Sequence, residues 1–242
     1  EKDIEEATMK VIAGPEKKSR IVTEKDKKVT AYHEAGHAIA AYNLPTQDKV
    51  HQVTIIQRGM AAGLTVTRPD TNDMHMSRNQ MRESIVMLLG GRVAEEIFLD
   101  DICTGASNDI ERATKTARNM VTRYGFSDKL GTVAYGSDSD EVFLGKDYGH
   151  VQNYSQSIAA QIDDEVKEII EKAYAQCKEI LTANANKMHL LADYLLKYEK
   201  IDNDKFERLM RGENIEADEP VVSPAPVQTE TEAAENSENT EE

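Results

Sequence analysis

The sequence has no tryptophan, and aromatic residues make up only 5% of its 242 residues. That content is low for an all-β sandwich, whereas the abundance of Ala, Glu, Lys, Leu, Ile and Met favours helices. The two cysteines, Cys103 and Cys177, are too few for a disulfide framework and form no CxxC zinc knuckle, which favours a reducing compartment. No run of 18 apolar residues is present, so no membrane-spanning helix is predicted within this chain.

Basic residues are also scarce, with 29 Lys and Arg against 44 Asp and Glu, for a net charge of −15. Ten of the acidic residues lie in 213–242, which contain no Lys or Arg, so the rest of the chain carries only about −5. This balance offers no basic surface for nucleic acid. The same segment is rich in Glu, Pro, Thr and Ser, which predicts a disordered acidic tail.

Apolar periodicity predicts a mainly α fold with a small β-sheet. A short helix is expected at 3–12, followed by a linker. Residues 49–68 suggest two short strands joined by a glycine-containing bend at 59–63, and 125–150 suggest an irregular segment with a hairpin. Thr23, Ser77 and Ser107 are candidate N-caps, and the Gly90–Gly91 pair predicts close helix packing or a kink. The longer predicted helices cover 24–43, 77–99, 108–124, 154–182, 184–199 and 203–211.

The stretch AYHEAGHAIAAY at 31–42 carries the chemistry that the sequence suggests. On a helix, His33 and His37 lie on one face about 5–6 Å apart, so both imidazoles can bind one cation. Glu34 is next to them, where it can accept a proton from water that zinc has made acidic. The flanking residues are small and apolar, and burying two histidines and a glutamate together is costly without a partner. The pattern therefore favours a zinc hydrolase over a helix with unrelated histidines.

Two histidines are too few for a catalytic zinc site, which needs a third protein ligand and an open position. The extension HExxHxxGxxH is excluded, because AIAAYN follows the motif. The helix containing LLGGRVAEEI offers Glu95 and Glu96, and the loop in TGASNDIERAT offers Asp109. Residue chemistry alone leaves the choice open among many carboxylates and other residues, including Glu95, Glu96, Asp109, Cys103, His51, His75, His150 and His189.

Five stretches occur together in one order: HEAGHA, GLTVTRP, LLGGRVAEEI, TGASNDIERAT and ARNMVTRYGFSDKLG. With them, about residues 1–211 closely resemble the peptidase domain of the FtsH family, the membrane-anchored AAA+ zinc metalloproteases. The resemblance implies an Asp-zincin, a mainly α metallopeptidase domain with a small β-sheet next to the active site. It implies one Zn²⁺ per chain held by His33, His37 and Asp109, with Glu34 as the catalytic glutamate and Glu95 as a supporting residue.

The resemblance also implies a substrate and an assembly. Unfolded or membrane-extracted proteins would be cleaved, and six copies would form a ring that acts in ATP-dependent protein quality control. An extended substrate would pair with the backbone of residues 59–66 by β-addition, which suits broad sequence tolerance. The residues expected to bind it are Gly59, Met60, Ala61, Ala62, Gly63, Leu64 and Thr65.

The family has an ATPase module with a GxxxxGK[ST] phosphate loop before this domain, and neither that motif nor a transmembrane helix is found here. Together with a first residue other than Met, this predicts the C-terminal half of a longer protein, in which ATP acts only through the missing module. Residues 1–22 would be the linker, 23–212 the zinc peptidase domain and 213–242 the tail. The parent protein would lie in the cell membrane with this domain on the cytoplasmic side, and the isolated chain would be soluble.

Two other hypotheses belong to different functional classes. The domain could be a catalytically silent scaffold with a structural metal, although inactive relatives of such proteases usually lose the glutamate that is present here as Glu34. It could instead be a zinc hydrolase of small molecules, but that activity needs a closed pocket, and the strand-like residues 59–66 suit an extended chain better.

Overall fold

The computed structural model describes residues 7, 10, 11, 14–16, 22–59, 61–69, 74–99, 101–136 and 154–215. Most of the predicted helix at 3–12, most of the linker after it, most of the hairpin predicted within 125–150, and most of the acidic tail lie outside these residues. So do Met60 and His150. None of the described helices is both long and apolar enough to cross a lipid bilayer.

The described chain is mainly α-helical with one small antiparallel sheet, as predicted. Four of its described helices begin where a side chain accepts from a free backbone N–H group, and the capping residues are Thr23, Ser77, Ser155 and Asp202. Ser107, which was predicted as a cap, is instead the first residue of its helix. The helices are α1 (Glu24–Asn43), α2 (Arg78–Leu88), α3 (Gly90–Phe98), α4 (Ser107–Thr122), α5 (Gln156–Ala183), α6 (Ala185–Tyr198) and α7 (Asn203–Met210), with a 3₁₀ turn at Thr104–Ala106.

The sheet has the strand order β2-β1-β3, with β1 at Lys49–Thr54, β2 at Leu64–Arg68 and β3 at Lys200–Asp202. The first two strands and the bend between them match the prediction, and Gly59 takes a positive φ of 53° in that bend. The third strand was missed, because three residues are too few to show an alternating pattern. In the described chain no strand pairs with the outer edge of β2.

The helix predicted over 77–99 is two helices, separated at Leu89. The glycines after this break allow α3 to approach α1 closely. A Cβ atom on Gly36 would lie 2.3 Å from the carbonyl oxygen of Gly90, and one on Gly90 would lie 2.7 Å from the carbonyl oxygen of Gly36. The close packing predicted for the glycine pair is therefore present, and it brings α3 against the histidine-bearing part of α1.

Helix α1 forms the centre of the core. Its residues Ala31, Ala35, Ala38, Ile39 and Ala40 are fully buried, and small side chains of this kind let neighbouring backbones come near. His37 on this helix is consequently buried, and His33 is partly buried.

Candidate metal centre

His33, His37 and Asp109 converge from two helices. The Nε2 atoms of the two histidines are 3.1 Å apart, and the Asp109 Oδ2 atom is 3.3 Å from His33 Nε2 and 3.5 Å from His37 Nε2. Three donors bound to one zinc ion in tetrahedral geometry at about 2.0–2.2 Å are about 3.3–3.6 Å from one another. The triangle therefore has the dimensions of a zinc site, and two imidazoles with one carboxylate are a donor set that zinc accepts.

The other ring nitrogen of each histidine is held by a fixed acceptor. His33 Nδ1 lies 2.8 Å from Glu95 Oε1, and His37 Nδ1 lies 2.8 Å from the carbonyl oxygen of Met87. An N–H at each Nδ1 that donates to these oxygens leaves the lone pair of each Nε2 directed at Asp109. Acceptors of this type orient metal-binding histidines and set their tautomer in proteins.

Glu95 is completely buried and is held by a second contact, because its Oε2 atom accepts from the backbone N–H of Cys103 at 2.7 Å. Gly91 lies one turn before it on α3. A Cβ atom there would lie 2.3 Å from His33 Cε1, so only glycine lets the backbone of α3 pack against this imidazole. Helix α3 thus fixes His33 through both a hydrogen bond and a packing contact.

Glu34 lies beside the two histidines and is only 7% exposed. Burial raises the pKa of its carboxyl, although the nearby His37 and His33 act in the opposite direction. The Thr65 hydroxyl on β2 donates to Glu34 Oε2 at 2.7 Å. A carboxyl with a raised pKa binds a proton more readily than an ordinary glutamate does.

The charges of the cluster are strongly coupled. Burial disfavours the His33 imidazolium, but hydrogen bonds with Asp109 and Glu95 outweigh burial and raise the pKa of His33 to about 10. Burial also opposes the Asp109 carboxylate, whereas hydrogen bonds with His33 and His37 hold the pKa of Asp109 below its usual range. A metal ion and a proton compete for the same imidazole nitrogens, so metal binding here is expected to depend on pH.

A cleft of roughly 620 Å³ opens onto this cluster. One wall is the start of β2 with the residues before it, from Ala61 to Thr65, and another contains Met87 and Leu88. Leu64 and Thr65 in this lining belong to β2, whose outer edge no described strand covers. An uncovered strand edge can pair with an added strand.

A model of the family described as Peptidase family M41 matches residues 20–209. The chain belongs to this family. Among curated proteins similar to this M41 chain, ATP-dependent zinc metalloprotease FtsH 1 of Thermoanaerobacter sp. (strain X514) is 53% identical over 88% of the chain and 35% of the relative. FtsH 2 of Alkaliphilus metalliredigens (strain QYMF) is 52% identical over 87% of the chain and 30% of the relative.

The FtsH protein of Bacillus subtilis (strain 168), also named an ATP-dependent zinc metalloprotease, is 46% identical over 86% of the chain. This M41 chain spans about a third of the length of these relatives. The resemblance identified from the five sequence motifs is confirmed, and so is the mainly α fold expected for it.

Within the described residues, the group of side chains that could hold a metal ion in the M41 chain is His33, His37 and Asp109. Glu95, the rival candidate, contacts the Nδ1 side of His33 instead. Glu96 bonds Lys178 Nζ at 2.9 Å, and Tyr174 donates to it as well. The remaining described candidates, which are not part of the group, are His51 on β1, His75 before α2, His189 on α6 and Cys103 before the 3₁₀ turn.

Two contacts of the M41 chain were missed by sequence reasoning. The Met87 carbonyl that accepts from His37 is a backbone atom, and no residue type signals it. Thr65 was assigned only to substrate binding, and its bond to Glu34 depends on β2 crossing next to α1. Gly63 in the sequence was a partial indication that β2 passes close to α1, because a Cβ atom at this position would lie 2.7 Å from Glu34 Cγ.

Proposed function

We propose that this chain is the proteolytic domain of an ATP-dependent quality-control protease and hydrolyses peptide bonds in unfolded or membrane-extracted proteins with the help of zinc. The observation that carries this proposal is the triangle of His33 Nε2, His37 Nε2 and Asp109 Oδ2, with sides of 3.1–3.5 Å. Family membership and the names of the relatives support the same activity.

One zinc ion per chain would be held by His33, His37 and Asp109. Three protein ligands leave a further position open, which is the arrangement of catalytic rather than structural zinc sites. When bound, zinc polarises a carbonyl group and lowers the pKa of water toward neutrality. The Nδ1 contacts with Glu95 and Met87 keep both imidazoles oriented for this role.

Glu34 would act as the general base and then as the proton donor to the leaving amine. Its Oε2 atom accepts one hydrogen bond from Thr65, which leaves other lone pairs of the carboxylate for the proton. The burial that raises its pKa matches this task, because a base is most effective when its pKa lies near the working pH. A structural metal site has no need of a buried carboxylate next to its ligands, which argues against the silent scaffold.

The substrate would bind as an added strand along residues 59–65, next to the uncovered edge of β2. Backbone hydrogen bonds do not depend on the side chains of the substrate, so this binding mode suits cleavage at many different sequences. The cleft is bounded by the same segment from Ala61 to Thr65. The cleft, the uncovered strand edge and Glu34 are adjacent to one another. This arrangement supports an extended polypeptide rather than a small molecule as the substrate.

The architecture of the parent protein is also proposed. Residues 1–22 would link this domain to an ATPase module, 23–212 would form the zinc peptidase domain, and 213–242 would be an acidic tail. Six copies would assemble into a ring on the cytoplasmic side of the cell membrane, anchored by segments outside this chain, which would itself be soluble. The relatives are about three times as long as the matched part and are named ATP-dependent, which supports the proposed ATPase module.

Cleavage of unfolded casein by the zinc-loaded chain, without ATP, tests the proposal. We expect cleavage that a zinc chelator abolishes and that Glu34→Gln abolishes while zinc content stays at one equivalent. Glu179→Gln, the same change at an exposed position on α5, is the matched control and should cleave normally. Loss of zinc in Glu34→Gln would contradict the assigned role. Zinc-loaded chain that forms hexamers yet cleaves nothing would favour the scaffold.

A further inference from the structure

We infer that Thr65 is a positioning residue for the proposed reaction: its hydroxyl group holds the Glu34 carboxylate in place and joins it to the strand along which substrate binds. This inference rests on the role proposed for Glu34. It assigns to the side chain of Thr65 a task different from the backbone pairing expected of the same strand.

The hydrogen bond is well defined. Thr65 Oγ1 lies 2.7 Å from Glu34 Oε2 and 3.1 Å from the carbonyl oxygen of Glu34. A hydroxyl has one proton, so only one of these oxygens can receive a full hydrogen bond. The carboxylate oxygen is nearer and charged, and bonds to charged acceptors are shorter and stronger than neutral ones. The hydroxyl therefore donates to the carboxylate.

Other restraints on Glu34 are few. Within the described residues, Thr65 is the hydrogen-bond donor to its carboxylate, and the neighbouring imidazoles act on it only through their charge. A buried carboxylate is costly unless it is hydrogen-bonded. Loss of the Thr65 hydroxyl would leave Glu34 both less stable in its charged form and free to change rotamer.

Gly63, the residue directly before β2, also packs against the Glu34 side chain. A Cβ atom on Gly63 would lie 2.7 Å from Glu34 Cγ and 2.8 Å from Glu34 Oε1. The backbone at 63 and the hydroxyl at 65 therefore cover the Glu34 side chain together. Because residues 59–65 form the proposed substrate edge, a peptide that pairs there would seat itself on the segment that fixes the base.

The first test is a double-mutant cycle on thermal unfolding, which needs neither zinc nor substrate. The four proteins are the unchanged chain, Thr65→Val, Glu34→Ala and the double variant. We expect Thr65→Val to lower the melting temperature when Glu34 is present and to have a much smaller effect in the Glu34→Ala background. Additive shifts would overturn the inference, because they would show that the hydroxyl does not act through Glu34.

The second test compares kcat and KM on unfolded casein with zinc bound. We expect Thr65→Val to lower kcat about tenfold, which corresponds to the loss of one hydrogen bond, with KM and zinc affinity changed less than twofold. Thr65→Ser, which keeps the hydroxyl, should restore most of kcat. Thr67→Val makes the same change on the same strand beyond the proposed substrate edge and should leave both constants unchanged.

Three kinetic results would contradict the inference. A raised KM with unchanged kcat would assign Thr65 to substrate pairing alone. Failure of Thr65→Ser would show that the methyl group matters rather than the hydroxyl, and an equal loss in Thr67→Val would indicate general damage to β2. If the unchanged zinc-loaded chain forms hexamers and cleaves nothing, the proposed function fails, while the unfolding cycle still decides whether Thr65 holds Glu34.

Discussion

At the metal centre, carboxylates lie against imidazoles, whereas in a second cluster on α5 they lie against lysines. Asp109 Oδ2 is 3.3 Å from the His33 ring. In the second cluster, Lys129 Nζ lies 2.8 Å from Glu165 Oε1. We call this second group the α5 cluster, and its members are Ser127, Lys129, Glu165, Glu168 and Lys172.

Both places combine several charges with a cleft, since a cleft of roughly 390 Å³ is lined by Lys129, Glu165, Glu168 and Lys172. Charge and concavity therefore do not distinguish them. The two clusters differ in the groups that face the carboxylates. An ammonium group can only donate hydrogen bonds, whereas an imidazole can also offer a lone pair. The α5 cluster is neutralised by its own lysines, while the metal centre presents lone pairs that a cation can use.

Asp109→Ala should remove the feature that separates the metal centre from the α5 cluster, because it takes a carboxylate out of the triangle of donors. We expect zinc affinity to fall by more than the about 10–100-fold typical of a residue that only supports a ligand, and casein cleavage to be lost. Competition with a chelator of known affinity measures the first effect. Glu165→Ala in the α5 cluster should leave zinc affinity unchanged. Normal zinc binding by Asp109→Ala would point to Glu95 or Cys103 as the third ligand.

Glu95→Gln is a milder change at the metal centre, because it alters only the charge of the group that contacts His33 Nδ1. Loss of the negative charge weakens the bond from Nδ1 and makes the imidazole a poorer ligand, so zinc affinity should fall about 10–100-fold. Glu96→Gln is a matched control, since this neighbouring residue contacts Lys178 instead. Equal zinc affinity in both variants would show that the 2.8 Å contact with His33 does not support metal binding.

Much of this site follows from local sequence rules. The caps at Thr23 and Ser77 and the four-residue spacing of His33 and His37 depend only on helix geometry, and the structure has them as predicted. Asp109 was different: residue chemistry left it among many candidates, and the family resemblance singled it out. Its approach to the histidines requires α4 to pack near α1, which no spacing along the chain can show.

The elements that sequence reasoning missed also depend on tertiary contacts. The third strand, Lys200–Asp202, exists because it pairs with β1, where Val53 is opposite Ile201. The break at Leu89 places Gly91 against the His33 ring, although continuous apolar periodicity suggested one helix. Local patterns predict elements that are stable by their own periodicity, whereas tertiary contacts decide short strands, breaks and the partners of buried polar groups.

Ser127→Ala should affect folding but not zinc, which is the opposite of the Glu95 result. The Ser127 hydroxyl donates to Glu165 at 2.8 Å and accepts from the backbone N–H of Leu130 at 3.0 Å. Its removal leaves buried groups without a partner, which costs about 1–3 kcal/mol in the free energy of unfolding. Chemical denaturation measures this loss. Ser157→Ala, at an exposed site on the same helix as Glu165, should change stability by less than about 0.5 kcal/mol.

Equal stability of the two serine variants would mean that the α5 cluster contributes little to folding. A loss of zinc affinity in Ser127→Ala would mean that the two clusters are coupled, and the contrast between them would then be wrong.

The smallest expected effect concerns the two thiols, one beside the metal centre and one on α5. Cys177 is fully buried, and burial raises its pKa to about 12, so almost no reactive thiolate exists at pH 8. Cys103 is partly exposed, although burial and nearby acidic groups raise its pKa as well. A maleimide reagent at pH 8 should therefore label Cys103 slowly in the folded chain and Cys177 only after unfolding. Cys103→Ser should show no labelling until it unfolds.

Repeating the labelling with one equivalent of zinc tests the ligand assignment from another direction. Cys103 contacts Glu95 through its backbone N–H, not through its sulfur, so zinc held by His33, His37 and Asp109 should leave the labelling rate nearly unchanged. Strong protection of Cys103 by zinc would instead make its thiol a ligand. Zinc could also protect Cys103 indirectly, by tightening the fold around it. Asp109→Ala separates the two causes, because a thiol that binds zinc directly would still be protected in this variant at saturating zinc.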